Sequence, residues 1–197
     1  MKFESEDLHT FDGLDATGKS TIINRLEEVL NTVVLRSPPA WMKRYRELFE
    51  KTDVESRFAF YVFGNCWVDR VILRPQLEHN NTNKIFLQDR SWITTLTAHE
   101  LRGVSKRWLD VGKRLAINSV APKNAFLVYV DPKVRHQRLF ERNMMTSSDR
   151  RNLNTDVIMN EKYKYWTAQL HWNQCEFDNT YFTTQEACAA IAKLIKS

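Results

Sequence analysis

A glycine-rich loop near the start of the chain carries the most specific chemical signal. Residues 13–20 read GLDATGKS and match the pattern G-x-x-x-x-G-K-[ST] at every fixed position. Glycines let such a loop curl until successive backbone N–H groups point at phosphate oxygens, and the next helix presents its positive end to the same anion. Lys19 would add a charge for the β- and γ-phosphates, and the Ser20 hydroxyl suits Mg²⁺. The pattern predicts a loop that binds a nucleoside triphosphate and Mg²⁺, made of Gly13, Asp15, Ala16, Thr17, Gly18, Lys19, Ser20 and Thr21.

The segments around the loop are those that the motif requires. Residues 8–11 form a short apolar-leaning run, which favours a strand that ends at the following Asp-Gly pair. Behind the loop, apolar residues recur at helical spacing from Ile22 to Leu30. A strand, a glycine loop and an amphipathic helix in this order argue against a chance match.

A second candidate is the pair Asp89-Arg90, which follows a buried strand predicted at residues 84–87. Ligands of parallel sheets gather at the carboxyl ends of strands. Asp89 there could hold Mg²⁺ or polarise an attacking oxygen, and Arg90 could fork onto an acceptor phosphate. The alternative is a helix-capping acid beside a surface arginine.

Arginines in the second half of the chain form the third candidate. Arg135, Arg138 and Arg142 share one face of a predicted helix, and Arg150 and Arg151 lie in a polar loop at about residues 143–154. We expect this loop to be a small lid that brings arginines to the transferred phosphate. A merely solvated charged face is the alternative.

Two further residues are candidates for acceptor binding. Arg36 ends a β-branched, apolar run at residues 32–35, so it should lie at the same sheet edge. Phe63 lies in the aromatic-rich stretch RFAFYVFGNCWVDR, which is either core or a platform for a base.

The order of elements predicts an α/β fold. Further strands are predicted at residues 125–130 and 175–177, with helices between the strands and a closing helix near residues 185–195. The strands are continuous apolar runs, which is typical of a parallel sheet covered on both faces. We expect a single three-layer α/β/α domain over residues 1–197.

Composition limits the remaining classes of protein. The chain has 197 residues, of which 43% are hydrophobic and 27% charged, and a net charge of +5 that favours anionic partners. No apolar run reaches the ~18–20 residues of a membrane span, and three scattered cysteines do not form a disulfide framework. The first residues, MKFESEDLHTF, lack the features of a signal or transit peptide. We expect a cytoplasmic protein, with an organellar matrix left open, that binds small nucleotides rather than nucleic acid or membranes. A homodimer is also left open.

These motifs together resemble the thymidylate kinase family of P-loop nucleoside monophosphate kinases, and most of all its mitochondrial UMP–CMP kinase branch. The similarity rests on GLDATGKST, VLRSPP, RFAFYVFGN, DRSW and VDPKVRHQRLFERN, at residues 13–21, 34–39, 57–65, 89–92 and 130–143. It implies a five-stranded parallel sheet and transfer of the ATP γ-phosphate to a nucleoside monophosphate, of the dTMP or UMP/CMP type.

The resemblance also implies roles for single residues. Lys19, Asp89, Arg90 and Arg142 would be catalytic, with Mg²⁺ on Ser20 and Asp89. Arg138 and Arg142 would flank the ATP base, and the acceptor would contact Asp15, Arg36, Phe63 and Arg90. The sequence departs from the family pattern at Ala16, where some members have an arginine, so Arg142, Arg150 and Arg151 are expected to supply that charge. It departs again at Trp67, where thymidylate kinases have a base-reading arginine.

Two other functions remain open at this point. A deoxynucleoside kinase would phosphorylate a hydroxyl instead of a phosphate and would use Asp89 as a general base. A non-catalytic ATP-binding regulator would keep the loop without transferring phosphate. A GTPase is disfavoured because the one Asn-Lys pair, at Asn83, is not followed by the x-Asp of a guanine-binding element.

Overall fold

The sheet is parallel throughout and has the strand order β2-β3-β1-β4-β5. The computed structural model describes residues 3–79, 83–141 and 155–197. The strands are β1 Phe3–Asp12, β2 Thr32–Arg36, β3 Ile85–Asp89, β4 Val120–Tyr129 and β5 Gln174–Asp178. The five-stranded α/β prediction is therefore confirmed.

Helices connect the strands and cover both faces of the sheet. They are α1 Lys19–Val29, α2 Lys43–Glu50, α3 Val54–Trp67, α4 Arg74–Glu78, α5 Trp92–Glu100, α6 Lys106–Ile117, α7 Pro132–Glu141, α8 Asp156–Gln169 and α9 Thr184–Lys196. A 3₁₀ turn at Ala40–Met42 precedes α2, and a π-helical stretch at Val68–Leu73 joins α3 to α4.

Alternation along β4 shows how the two layers are separated. Phe126 and Val128 belong to a core with the apolar residues of α1 and α9. Ala125 and Leu127 belong to the opposite core, with residues of α3, α5, α6 and α8. Because both faces are buried, every strand residue can be apolar, and the sequence shows runs rather than alternation.

The centre of the sheet is where the functional residues collect. β1 has β3 on one side and β4 on the other, so the connections diverge at its carboxyl end and leave a crevice there. Phe11 lies opposite Asp89, and Arg36 of β2 is also in register with Asp89. The loop at residues 13–18 and the Asp89-Arg90 pair therefore lie at one edge of the sheet.

Some boundaries differ from the sequence-based predictions. β1 starts at Phe3 and β4 at Val120, both earlier than their most apolar residues indicate. The helix α6 was not predicted. The helix predicted to reach about Arg142 is described as far as Glu141, and the predicted lid at residues 143–154 lies outside the described residues. Within the described ranges, no helix combines the length and apolar character needed to cross a bilayer.

Candidate active site

The loop between β1 and α1 needs glycine at its first position for a steric reason. Gly13 has φ 140°, and a Cβ there would lie 2.2 Å from the carbonyl oxygen of Val128 in β4. The loop thus runs directly against the neighbouring strand, as a strand-to-helix phosphate loop must. Ala16 also has a positive φ, 67°, which is uncommon for a residue with a Cβ.

The N-terminus of α1 is open to an anion. Gly18 is its N-cap and offers no side-chain cap, and the first turn holds no acidic residue. The first N–H groups of a helix lack intrahelical partners, and the helix dipole makes this end positive. The predicted anion site therefore has the backbone that it requires.

Lys19 is folded into the loop and is only 4% exposed. Its Nζ donates to the Leu14 carbonyl oxygen and, at 3.2 Å, to Thr17 Oγ1. Burial, and after it the nearby positive charge of Arg90, lower the pKa of Lys19 to about 8. The ammonium group thus lies inside the loop, away from water. The negative charge of an incoming phosphate would stabilise it in place of the water that burial removes.

Ser20 and Asp89 are brought together, as predicted. Ser20 Oγ donates to Asp89 Oδ2 at 3.1 Å, and Asp89 Oδ1 is buried and has no hydrogen-bond partner in the described part of the chain. That part contains no group of three or more His, Cys, Asp or Glu side chains able to hold a metal. A hydroxyl and one carboxylate fit Mg²⁺, which keeps most of its water and commonly takes one or two carboxylates together with phosphate oxygens.

Arg90 is aimed by an unusual backbone and an ion pair. It has φ 68°, its N–H donates to the Phe11 carbonyl oxygen at 3.0 Å, and its guanidinium pairs with Asp15. Burial on its own would lower the pKa of Arg90, but the negative charges around it, that of Asp15 first and then those of Asp89 and Asp12, together more than offset this and raise it. The guanidinium is therefore always charged and is held between the loop and β3.

Asp12, which was not predicted as a functional residue, fixes the loop to α5. It is fully buried and accepts four hydrogen bonds, from Ser91 N at 2.9 Å, Ser91 Oγ at 2.6 Å, Thr94 N at 3.1 Å and Thr94 Oγ1 at 2.5 Å. A carboxylate at a helix N-terminus is stabilised by the dipole. An acid at the end of a predicted strand, directly before the loop glycine, was the signal available in the sequence.

Tyr163 of α8 was also missed and lies behind this cluster. Burial raises the pKa of its phenol, so the hydroxyl stays neutral, and the Thr94 side chain lies beside it. The side chain is close enough to Arg90 and Asp12 to feel both charges.

The three arginines predicted on one face of α7 do not share one environment. Arg135 is buried and forms a two-pronged ion pair with Asp156 of α8, so it is not part of a solvated face. Arg138 is partly exposed and donates from Nη2 to the Asn179 carbonyl oxygen at 3.1 Å. Arg142, together with Arg150 and Arg151, lies outside the described residues.

A cleft of about 360 Å³ opens beside the loop, on the side of α7. It is lined on the loop side by Ala16, Gly18 and Thr21 and on the other side by Arg138, Asn179 and Phe182. The cleft is continuous with the N-terminus of α1, so a nucleotide whose phosphates bind the loop can place its base there.

The acceptor candidates lie on the other side of the loop. Arg36 is exposed at the end of β2, and Phe63 of α3 is 50% exposed. Trp41 lies 6.4 Å from Phe63 and 5.3 Å from Trp67, measured between ring centroids. We call Trp41, Phe63 and Trp67 the aromatic wall. Asn65 attaches the same helix to α5 by a 2.8 Å hydrogen bond to Thr95 Oγ1.

Comparisons with known proteins bear on the fold that carries this site. No family model matches the chain. It is 27% identical over 183 residues to a probable thymidylate kinase of Methanobrevibacter smithii, covering 85% of this chain and 89% of the relative. It is 41% identical over 54 residues to the human mitochondrial UMP-CMP kinase 2, but these span only 12% of that protein and 27% of this chain. The UMP–CMP kinase likeness is thus restricted to a short segment.

Among solved structures, the thymidylate kinase of Ehrlichia chaffeensis superposes with a TM-score of 0.69 at 19% identity, over 98% of this chain and 100% of the other. The fold is therefore that of a P-loop kinase, with the sheet and flanking layers of the thymidylate kinases.

Proposed function

We propose that this chain transfers the γ-phosphate of ATP to a nucleoside monophosphate, with a pyrimidine acceptor of the dTMP or UMP/CMP type. The observation that carries the proposal is the convergence of Lys19, Ser20, Asp89 and the Arg90–Asp15 pair at the ends of β1 and β3. The similarity to a probable thymidylate kinase and, over a short segment, to a UMP-CMP kinase supports the same reaction.

The donor half of the site uses the loop and the cleft. The N–H groups at the start of α1 and the Lys19 ammonium bind the β- and γ-phosphates. Leu14 O and Thr17 Oγ1 hold Lys19 until a phosphate replaces them. The base occupies the cleft beside Arg138, whose guanidinium is fixed there by Asn179.

Ser20 and Asp89 are the residues that would hold Mg²⁺, since Asp89 Oδ1 is a buried acceptor without a partner in the described chain. When bound, Mg²⁺ would neutralise phosphate charge. The Ser20–Asp89 hydrogen bond keeps both oxygens close together and ready for this task.

The acceptor half uses arginines and aromatic rings. Arg90, held by Asp15, binds the acceptor phosphate and neutralises charge as the two phosphates approach. Arg36, exposed at the neighbouring strand end, adds a second positive charge, and Phe63 stacks on the base. Phosphoryl transfer needs little covalent help from the protein, so alignment and charge neutralisation are the main contributions of these residues.

A panel of acceptors tests the proposal. Purified protein with MgATP is incubated with each common nucleoside and each nucleoside monophosphate, and ADP release is measured. We expect turnover with pyrimidine monophosphates and none with nucleosides. Phosphorylation of nucleosides alone would make the chain a nucleoside kinase, and ATP binding without any turnover would make it a regulator.

A matched pair of lysine variants tests the role of the loop. Lys19→Ala should lower turnover by about 10²-fold or more, as loss of an electrostatic contact to the transition state does. Lys193→Ala, an exposed lysine in α9, should leave turnover unchanged. Near-normal turnover of a folded Lys19→Ala protein would contradict the proposal.

A further inference from the structure

We propose that Asn179 is a positioning residue that holds the Thr17–Gly18 peptide in its phosphate-binding orientation and links it to the base cleft. The inference rests on the proposed function, because it concerns the same ATP site. Asn179 follows β5 directly and is 6% exposed. It stands 162 residues from Thr17 in the chain, so only the fold brings the two together.

The side chain of Asn179 makes one specific hydrogen bond. Its Nδ2 donates to the Thr17 carbonyl oxygen at 2.9 Å. A carbonyl oxygen only accepts, so the amino group of the carboxamide must be the part that faces the loop. Among the described residues, no other side chain donates to this carbonyl oxygen.

Peptide geometry gives this hydrogen bond its consequence. The C=O and N–H of a trans peptide point in opposite directions, and rotation about the C–N bond is blocked. With the Thr17 carbonyl fixed on Asn179, the Gly18 N–H must point away from Asn179. In a P-loop the backbone N–H groups cradle the phosphates. The Asn179 side chain therefore orients the Gly18 N–H, which would donate a hydrogen bond to a phosphate, without touching the phosphate itself.

Gly18 and Asn179 also fit each other sterically. Gly18 has φ 94°, and a Cβ at this position would lie 2.5 Å from Asn179 Nδ2. The second glycine of the motif therefore leaves room for the carboxamide as well as supplying the left-handed backbone. The close approach is direct evidence that the two residues pack as a unit.

The backbone of Asn179 completes the link to the cleft. Its N–H donates to the Tyr129 carbonyl oxygen at the end of β4, at 2.8 Å, and its carbonyl oxygen accepts from Arg138 Nη2 at 3.1 Å. One residue thus connects the loop, the sheet and the arginine of the base cleft. A side-chain substitution removes the first connection and leaves the other two in place.

Stability alone gives little reason for an asparagine here. Its Oδ1 is buried and has no hydrogen-bond partner in the described chain. Burying an unsatisfied acceptor is unfavourable, and this loss works against the gain from the Nδ2 hydrogen bond. Removal of the whole carboxamide should therefore change the free energy of unfolding little, whereas the orientation of the loop peptide should suffer.

The test compares asparagines at the two ends of β5. Asn179→Ala removes the loop contact. Asn173→Ala removes two contacts of the same kind, from Asn173 Nδ2 to the Lys123 carbonyl oxygen at 3.0 Å and to Asn124 Oδ1 at 2.8 Å, at the strand end far from the loop. Affinities for MgADP and for tripolyphosphate are measured by calorimetry, the KM values for ATP and for the acceptor by kinetics, and stability by urea unfolding.

We expect Asn179→Ala to weaken MgADP and tripolyphosphate binding about 10-fold and to raise the KM for ATP with little change in that for the acceptor. Asn173→Ala should change neither. Asn179→Asp keeps the shape of the side chain but cannot donate to the Thr17 carbonyl oxygen. It should therefore lose at least as much affinity for MgADP and tripolyphosphate, and it replaces Asn179→Ala in the test if that variant does not fold. Equal affinities in the Asn179 and Asn173 variants, or equal rises in both KM values, would overturn the inference. Absence of ATP binding by the unmodified protein would instead overturn the proposed function.

Discussion

Many of the polar groups around the glycine-rich loop are buried and paired, whereas the aromatic wall is half exposed and carries no charge. Asp12 accepts four hydrogen bonds, and Lys19 is enclosed by the loop that it belongs to. Trp41 and Phe63, by contrast, are 43% and 50% exposed, and the Trp41 ring lies near those of Phe63 and Trp67. The two regions are therefore built differently.

The difference follows from what each region has to recognise. Under the proposed function, every nucleotide donor has the same phosphates, so the groups that bind them can be fixed in one geometry. Stacking on an aromatic ring accepts any base, because every base has a π-face. We infer that the loop region determines the reaction and that the aromatic wall sets a modest preference among acceptors.

The largest expected effect is in the loop region. Arg90→Ala should lower kcat/KM for the acceptor by about 10²–10³-fold, since it removes a charge that neutralises the reacting phosphates. Arg90→Lys should recover only part, because a point charge cannot fork onto phosphate. Arg107→Ala, an exposed arginine of α6, is the control. Steady-state kinetics check this, and a loss below 5-fold would place Arg90 outside the reaction.

The next effect is on stability, and it compares two carboxylates at helix N-termini. Asp12→Asn should lower the free energy of unfolding by about 3 kcal/mol, because an amide group would face buried donors of Ser91 and Thr94. Asp53→Asn should change the free energy of unfolding little, because Asp53 caps α3 at an exposed site and asparagine is an equally good N-cap. Urea unfolding measures both, and similar losses would contradict the burial argument.

Acid should act behind both regions, because a buried histidine lies behind each. His9 belongs to β1, the strand that leads into the loop, and His99 packs against Phe58 and Tyr61 of α3, the helix that carries Phe63 and Trp67. Burial lowers the pKa of His9 in β1 and of His99 in α5 to about 4, with smaller effects from nearby positive charges. The unfolded chain, with a pKa of 6.5, takes up these protons first as the pH falls. Stability is therefore complete above pH 6.5 and is lost as the pH drops toward 4, by about 2 kcal/mol per histidine at pH 5.

Urea unfolding of His9→Gln and His99→Gln at pH 7.5 and pH 5 measures this effect. Each variant should remove the share of one histidine, and the double variant should remove both. If His9→Gln alone removed the whole loss of stability in acid, His99 would contribute nothing to it. His99, behind the aromatic wall, would then be better hydrated than His9, behind the loop.

Local patterns were enough to predict the sheet and the loop. Buried strands such as β3 appear as short apolar runs, and the spacing of Gly13, Gly18 and Lys19 is itself the fingerprint of the loop. The contacts between Ser20 and Asp89 and between Arg90 and Asp15 were also within reach, because parallel strands place their carboxyl ends together. The roles of these residues in catalysis stay predictions.

Residues that support the site from a distance could not be predicted in this way. Asp12 and Ser91 are 79 residues apart, and nothing in either neighbourhood specifies the other. Arg135 has the spacing of a surface residue, and only its partner Asp156, on another helix, makes it a buried one. Helical periodicity gives the face of a residue on its own helix but not what the fold packs against that face.

The smallest expected effect is in the aromatic wall, where selectivity can change without loss of the fold. Phe63→Ala should raise the acceptor KM about 10-fold and leave the KM for ATP unchanged, because one base–ring stack is worth about 1–3 kcal/mol. Phe140→Ala, an exposed phenylalanine of α7, is the control.

Trp67→Arg should favour UMP or dTMP over CMP by about 10-fold, since a guanidinium donates to a carbonyl oxygen but not to an amino group. Competition between UMP and CMP measures this ratio. An unchanged ratio, together with an unchanged KM in Phe63→Ala, would move the base-binding site away from the wall and leave the loop region as the only part of the crevice with an assigned ligand.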